Sequence, residues 1–295
     1  MGSFKAVELG VVLPQTEIGP DPADIIRFVE AAEAGGFTHV VVYDHVVGAD
    51  RATRPDWPGP YDLHSSFHEP FVLYGYLAAH TRMELVTGVI ILPQRQAVLV
   101  AKQAAEVDVL TGGNFRLGVG IGWNPVEFEA LDLDFRNRTT RYEEQIEVLR
   151  LLWTQASVTF KGRYHTIDHA GLLPRPVQQP IPIWLGGGLA PATLDRIGRL
   201  ADGWICNTPP GHGLEEAWDV VRDAAANAGR PPDAVGLHGI AQPRDADDVI
   251  AVLRRQVGKW EAMGASHVSV SGLYAGRSPR EHAEFVTAAA AALMG

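Results

Sequence analysis

The chain has 295 residues, 46% of them hydrophobic and 20% charged, with a net charge of -10. That composition belongs to a globular protein with a sizeable core, and the acidic balance argues against a nucleic-acid partner, whose phosphates want a basic surface. The single cysteine, Cys206, excludes an internal disulfide and a Cys-based zinc site, and no stretch is long and apolar enough to span a bilayer.

The opening "MGSFKAVELG" has no apolar leader core, and Ala6 breaks the myristoylation pattern. A cytoplasmic protein without a membrane partner is expected. The first strand is "VELGVVLP" (7–14). "DPADIIRFVEAAEAGG" (21–36) follows as a helix, with Asp21 as cap, Pro22 at the first position and Gly35–Gly36 as terminators. Ile25, Val29 and Ala32 share one face of it. The second strand, in "THVVVYDHVV" (38–47), is a β-branched run suited to burial on both faces, and it finishes on Asp44 and His45. A polar insertion (48–68) separates it from a helix over 69–81.

The third strand, "MELVTGVIILP" (83–93), carries a glycine inside a continuous apolar run, a mark of a bulge or of close ligand approach. A helix (97–113), the fourth strand "NFRLGVGIG" (114–122) and a long helix (139–155) with Ile146, Leu149 and Trp153 in register come next. "SVTFKGRYHTIDHAGLLPRPVQQP" reads as a hairpin with a Pro-rich connection. The alternation then resumes: strands in "IPIWLGG", "GWICN", "VGLHGIA" and "HVSVSGLY", each followed by a helix. The seventh helix opens at Asp245 and aligns Ile250, Leu253, Val257 and Trp260; the last carries a capping box from Ser278 to Glu281. Eight strands, each followed by a helix, predict a (β/α)8 TIM barrel in one domain over 1–295, with insertions after strand two and before strand five. An open doubly wound sheet would want a Gly-x-Gly-x-x-Gly turn after the first strand, and "LPQTEIGPDP" lacks it.

Barrel sites lie at the carboxyl ends of the strands, so Asp44 and His45 fall on the rim, as functional groups or as a capping Asp and a solvated His. Gly118, Gly120 and Gly122 alternate, and if their side is inward they leave room there; otherwise they let bulky neighbours interdigitate. "GGGLAPATL" (186–194), with Pro191 near a helix start, offers backbone amides to an anion. It follows strand five, away from the usual barrel phosphate site after strands seven and eight. Asn207 and Thr208 end strand six as hydrogen-bonding rim residues. His238 is a second candidate rim imidazole and equally a core histidine. His64 and His68 stand four apart but lack a helix and a third ligand, so no metal is expected. Paired strand-end carboxylates and a Gly-x-Ser-x-Gly elbow are also missing, against glycosidase and hydrolase chemistry.

The blocks "LGVVLPQ", "YDH", "EPFVLYGYLAAHT", "LVTGVIILPQRQAVLVAKQAAEVDVLTGGNFRLGVGIGWNPVEFEALD", "RYEEQIEVLRLLW", "PIPIWLGGG" and "LADGWI" cover most of the chain. Together they resemble the luciferase-like monooxygenase superfamily, most closely the branch that uses the deazaflavin coenzyme F-420. The resemblance implies a TIM barrel, frequently a homodimer, with a flavin or deazaflavin across its mouth and a small organic substrate. It implies that Asp44 and His45 are the catalytic strand-two pair and that Gly88–Val89 is a non-prolyl cis bulge backing the ring. It further implies cofactor contacts at Gly122, at Gly186, Gly187 and Gly188, and at Asn207 and Thr208. Gln96–Ala97 departs from the His-Pro of many relatives, which puts a role for Arg95 in doubt. Trp123 stands where sugar-phosphate-oxidising members carry an acid, which argues against that substrate.

On this reading His45 exchanges the proton that accompanies hydride transfer, and Asp44 fixes His45 or the backbone. Trp57, His64 and His68 of the insertion are expected to help form the substrate pocket. FMN is the alternative cofactor, in a monooxygenase using reduced flavin and oxygen. A non-catalytic flavin-fold binding protein and a metal-dependent barrel hydrolase are the remaining alternatives.

Overall fold

The computed structural model describes residues 7–211, 213–231, 233–244 and 248–295. The N-terminal residues 1–6 and the opening of the seventh helix at 245–247, both read above, lie outside the described residues. In chain order the strands are β1 (Glu8–Val12), β2 (His39–Val42), β3 (Glu84–Thr87), β4 (Ile90–Ile91), β5 (Phe115–Gly120), β6 (Val158–Lys161), β7 (Thr166–Ala170), β8 (Ile183–Gly186), β9 (Gly203–Cys206), β10 (Gly236–Ala241) and β11 (His267–Val270). The helices are α1 (Gln15–Ile18), α2 (Pro22–Ala34), α3 (Pro70–Leu77), α4 (Ala97–Thr111), α5 (Pro125–Ala130), α6 (Arg138–Thr154), α7 (Pro191–Leu200), α8 (Leu214–Asn227), α9 (Val249–Ala262) and α10 (Pro279–Met294). The short α1 and α5 were not read from the sequence.

Parallel pairing runs β3–β2–β1–β11–β10–β9–β8–β5, and β5 pairs back onto β3 to close the sheet. β4 continues β3 past Gly88–Val89 and keeps its pairing to β5, so the two are one interrupted stave. Eight staves with intervening helices give the (β/α)8 barrel, and the antiparallel hairpin β6–β7 stands before the fifth stave.

The β-branched runs explain the closure. In β2, Val40 and Val42 pack outward against the helices while Val41 joins Val12, Val86, Trp184 and Ile205 inside. A strand buried on both faces needs helices outside and side chains within, which a barrel supplies. The predicted local signals are in place: the Asp21 side chain accepts from Ala23 N at 2.9 Å, and Ser278 and Glu281 close their capping box. Ile25, Val29 and Ala32 are buried on α2, with Phe28 beside them.

The glycine alternation on β5 divides between its two readings: Gly120 and Gly122 line the cavity at the barrel mouth, while Gly118 lets its neighbours interdigitate. A Cβ on Gly118 would lie 1.9 Å from the Thr87 carbonyl oxygen and 2.7 Å from Ile205 Cδ1, and one on Gly120 would lie 2.7 Å from Val89 Cγ2. Those positions are small because the interrupted third stave fills the space. Gly122 lies past the strand end, at φ 77°, beside Ile91 and Phe128.

At the amino end of the barrel, His39, His238, Ser269 and Arg116 form a buried polar layer. Nε2 of His39 and of His238 meet Ser269 Oγ at 2.9 and 2.8 Å, and Arg116 pairs with Glu84 at 2.6 Å across the face of Trp184. His238 is therefore a core histidine and not a rim imidazole. Burial, then the nearby Arg116 charge, hold both imidazoles well below the ordinary histidine value, so the folded protein keeps them neutral. The unfolded chain binds protons at these rings near pH 6.5 and the folded chain does not, so stability is present above that pH and lost as pH falls through it. Urea unfolding at pH 5.5 against pH 7.5 is expected to show a loss of about 2–3 kcal/mol from the two rings. His238→Gln should remove about half of that loss, and a wild-type stability flat across this interval would contradict the layer.

Candidate active site

The carboxyl ends of the staves open into a cavity of about 1110 Å³, at the upper end of the range for small-molecule sites. Its wall includes Asp44, His45, Gly88, Val89, Gly122 and the Gly186–Gly188 turn, together with Asn207. Thr208 does not line it; its carbonyl oxygen accepts a weak bond from Cys206 Sγ instead. Cys206 is buried, and its thiol is pushed up to about 11, which leaves it inert.

Asp44 and His45 are neighbours in sequence with separate partners. Both carboxylate oxygens of Asp44 accept from Arg95 Nη2 at 3.0 Å, and Oδ2 also accepts from Ile91 N at 3.3 Å. Asp44 thus ties the second stave to the far end of the third, across the Gly88–Val89 break, and does not hold His45. Burial pushes its pKa upward while the Arg95 guanidinium works against that. Arg95 also reaches Glu69 at 3.0 Å, so it has a structural part without the missing proline.

His45 is held by Glu127, a residue the sequence reading passed over. Glu127 is 1% exposed; its Oε1 accepts from His45 Nδ1 at 2.9 Å and Val46 N at 3.2 Å, and its Oε2 from Gln94 Nε2 at 2.9 Å. Since the carboxylate can only accept, Nδ1 carries the proton and Nε2 is the remaining ring nitrogen. The signal for Glu127 was present in "NPVE": Asn124 caps α5 through Val126 N at 3.0 Å, Pro125 takes the first position, and Glu127 falls in the first turn. The same spacing fits a local capping box, so only the fold reveals that the side chain crosses to His45.

Aromatic rings surround His45: Phe67 at 4.6 Å between centroids, Tyr61 at 4.7 Å and Trp123 at 5.9 Å. Tyr61 joins its hydroxyl to that of Tyr274 from the far side of the mouth. The insertion after β2 does build this wall, through Tyr61 and Phe67. Trp57 only backs Trp123, with ring centroids 5.7 Å apart, and neither it nor His64 or His68 lines the cavity. No group of three or more His, Cys, Asp or Glu among the described residues is placed to hold a metal ion.

In the same cavity the third stave breaks at Gly88–Val89, whose peptide bond is cis. Gly88 N donates to Val42 O at 2.8 Å, and a Cβ on Gly88 would meet Val41 Cγ1 at 2.2 Å. A Cβ on Gly186 would lie 2.8 Å from Val89 Cγ1, so Val89 is seated in glycine-lined space. The turn beyond is fixed by Trp204 Nε1 donating to Gly187 O at 2.9 Å, and a Cβ on Gly188 would touch nothing within 4 Å. α7 begins there with Pro191 at its first position and no side-chain cap; Thr193 N and Leu194 N donate to Ala190 O at 2.8 and 3.1 Å, so in its first turn the Ala192 amide is the one left to an outside acceptor. Val89, the glycine turn at a helix amino end and the His45 imidazole line one cavity, a set of groups that fits a flat ring with a phosphate-bearing arm.

Comparison with known proteins identifies the fold and the family. A Mycobacterium tuberculosis (strain H37Rv) protein of uncharacterized role is 32% identical over 236 residues, covering 77% of this chain and 82% of its own. The FMNH(2)-dependent dimethylsulfone monooxygenase of Pseudomonas putida is 30% identical over 185 residues, 61% of this chain and 50% of that one. Among solved structures, monooxygenase RslO1 from Streptomyces bottropensis superposes with a TM-score of 0.80 at 20% identity, covering 98% of this chain and 99% of that one. The coenzyme F-420-dependent tetrahydromethanopterin reductase of Methanopyrus kandleri gives 0.74 at 17%, covering 95% and 97%. The family profile for luciferase-like monooxygenases matches residues 2–292, and the chain belongs to that family of oxidoreductases.

Proposed function

We propose that this protein is a coenzyme F-420-dependent oxidoreductase that transfers a hydride between the deazaflavin and a small organic substrate. The observation that carries the reading is that one cavity is lined by both His45, its Nδ1 held by Glu127, and Val89, seated among glycines. When bound, the deazaflavin supplies two-electron hydride chemistry. Gly88 and Val89 would back its ring, and Gly186, Gly187 and Gly188 with the amino end of α7 would hold its phosphate. Asn207 and Gly122 would complete the seat.

The protein's own work is orientation and one proton. Each hydride that leaves or enters a carbon bearing oxygen is matched by a proton leaving or entering at that oxygen, and His45 Nε2 is positioned to carry it. Phe67, Tyr61 and Trp123 exclude water around the imidazole. A second reading, an FMN-dependent monooxygenase using reduced flavin and oxygen, draws support from the dimethylsulfone monooxygenase relative.

Titration of the apoprotein with coenzyme F-420 and with FMN separates the two. The expected outcome is F-420 binding in the micromolar range or tighter, at least about tenfold better than FMN. The reverse preference establishes the second reading, and binding of neither removes both.

A further inference from the structure

We infer that the cavity holds a second anion-binding corner, formed by Arg255 and Lys259 of α9 beside the end of β10, which takes a carboxylate or phosphate apart from the one at the Gly186–Gly188 turn. That the glycine turn takes the cofactor's own phosphate rests on the function proposed above; the corner itself rests on charge and placement.

The chain carries a net charge of -10, yet Arg138, Arg196, Arg244, Arg255 and Lys259 line the cavity against one acid, Asp44. Most of these charges are already engaged. Asp44 is matched by Arg95 and Arg196 by Glu143 at 2.8 Å, while Arg138 donates to the Gly122 and Phe135 carbonyl oxygens. Arg244 donates to Gln242 Oε1 and lies over the Tyr274 ring.

Arg255 and Lys259 have no carboxylate partner among the described residues. Four residues apart, they share one face of α9, where like charges repel unless an anion joins them. The face is held in place. Trp260 packs on Gly239 and donates from Nε1 to Ile240 O at 3.2 Å, and Gln256 Nε2 donates to Gln242 O at 3.2 Å. Gln256 thus fixes the helix face and, with its Nε2 already used, leaves the anion to the two cations. The end of the seventh stave is also where barrels commonly seat a phosphate, two staves from the glycine turn.

The shared chemistry is an acidic group on a chain long enough to reach this corner. It comes either from the glutamate tail that F-420 carries beyond its phosphate or from an acidic substituent of the substrate. Calorimetric titration of the wild type and of Arg255→Gln/Lys259→Gln with inorganic pyrophosphate, with tailed F-420 and with its tail-less form tests this. Lys161→Gln/Arg163→Gln on the hairpin controls for lost charge.

Pyrophosphate affinity is expected to fall about tenfold or more in the α9 variant and to stay within about twofold in the control. If the tail is the source, tailed F-420 outbinds the tail-less form by about tenfold in the wild type and the difference vanishes in the α9 variant. If the substrate is the source, the two forms bind alike and pyrophosphate still binds the cofactor-loaded wild type. Equal pyrophosphate affinity in wild type and α9 variant, at equal melting temperature, overturns the corner. Failure of both F-420 and FMN to bind would remove the proposed function while the pyrophosphate comparison still decides this one.

Discussion

Replacing His45 by alanine lowers turnover by about 10²–10⁴-fold and leaves cofactor affinity within about twofold. The imidazole is the proposed proton carrier in the aromatic wall, and the glycine seat is built from other residues of the cavity. Added imidazole should restore part of the rate, because the space left between Phe67 and Tyr61 accepts a free ring. Glu127→Gln keeps an acceptor for Nδ1 but removes the charge, and costs about 10–100-fold in kcat with KM little changed. Steady-state kinetics on these two variants check the pair; wild-type turnover in His45→Ala removes the imidazole from the mechanism.

Gly118→Ala destabilises the fold by about 3 kcal/mol or more. The new Cβ would stand 1.9 Å from the Thr87 carbonyl oxygen, which is backbone, and Thr87 is pinned because its Oγ1 donates to Gly118 O at 2.7 Å. Relief requires moving the third stave, and with it Gly88 and Val89, so cofactor affinity should fall in parallel. Gly188→Ala is the contrast: its Cβ meets nothing within 4 Å, and its stability stays within about 0.5 kcal/mol of wild type. Denaturant midpoints for the two variants measure the difference; a neutral Gly118→Ala would mean that β3 and β5 are not in this register.

The two predictions differ in how far the sequence could have reached them. His45 stood out because an imidazole and a carboxylate end an apolar β-branched strand, and that contrast survives without coordinates. Its partner did not stand out. Asp44, adjacent in sequence, was the nearest acid to suppose, but successive residues at a strand end leave on opposite sides, and Asp44 turns to Arg95 instead. Gly118 was visible as one of an alternating set, with room and interdigitation both open, because a missing side chain does not say what enters from the next strand; the structure gives interdigitation. His238 looked equally suited to rim and core, since its place along β10 is settled only by the register with β11.

The sequence by itself determined the order of the barrel strands and their helices, the burial of the second strand on both faces, the caps at Asp21 and Ser278 and the glycine turn after the fifth stave. All of these follow from side-chain periodicity and from backbone preferences within a few residues. The tertiary structure decided which charges are spent and which are free. Glu127 lies 82 residues from His45 and Arg95 lies 51 from Asp44, so barrel closure had to bring them within hydrogen-bonding distance. Electrostatic pairing depends on distance in space, which hydrophobic pattern does not encode. For the same reason the sequence reading of the seventh helix stopped at its apolar face, and only the folded barrel shows that Arg255 and Lys259 line the cavity.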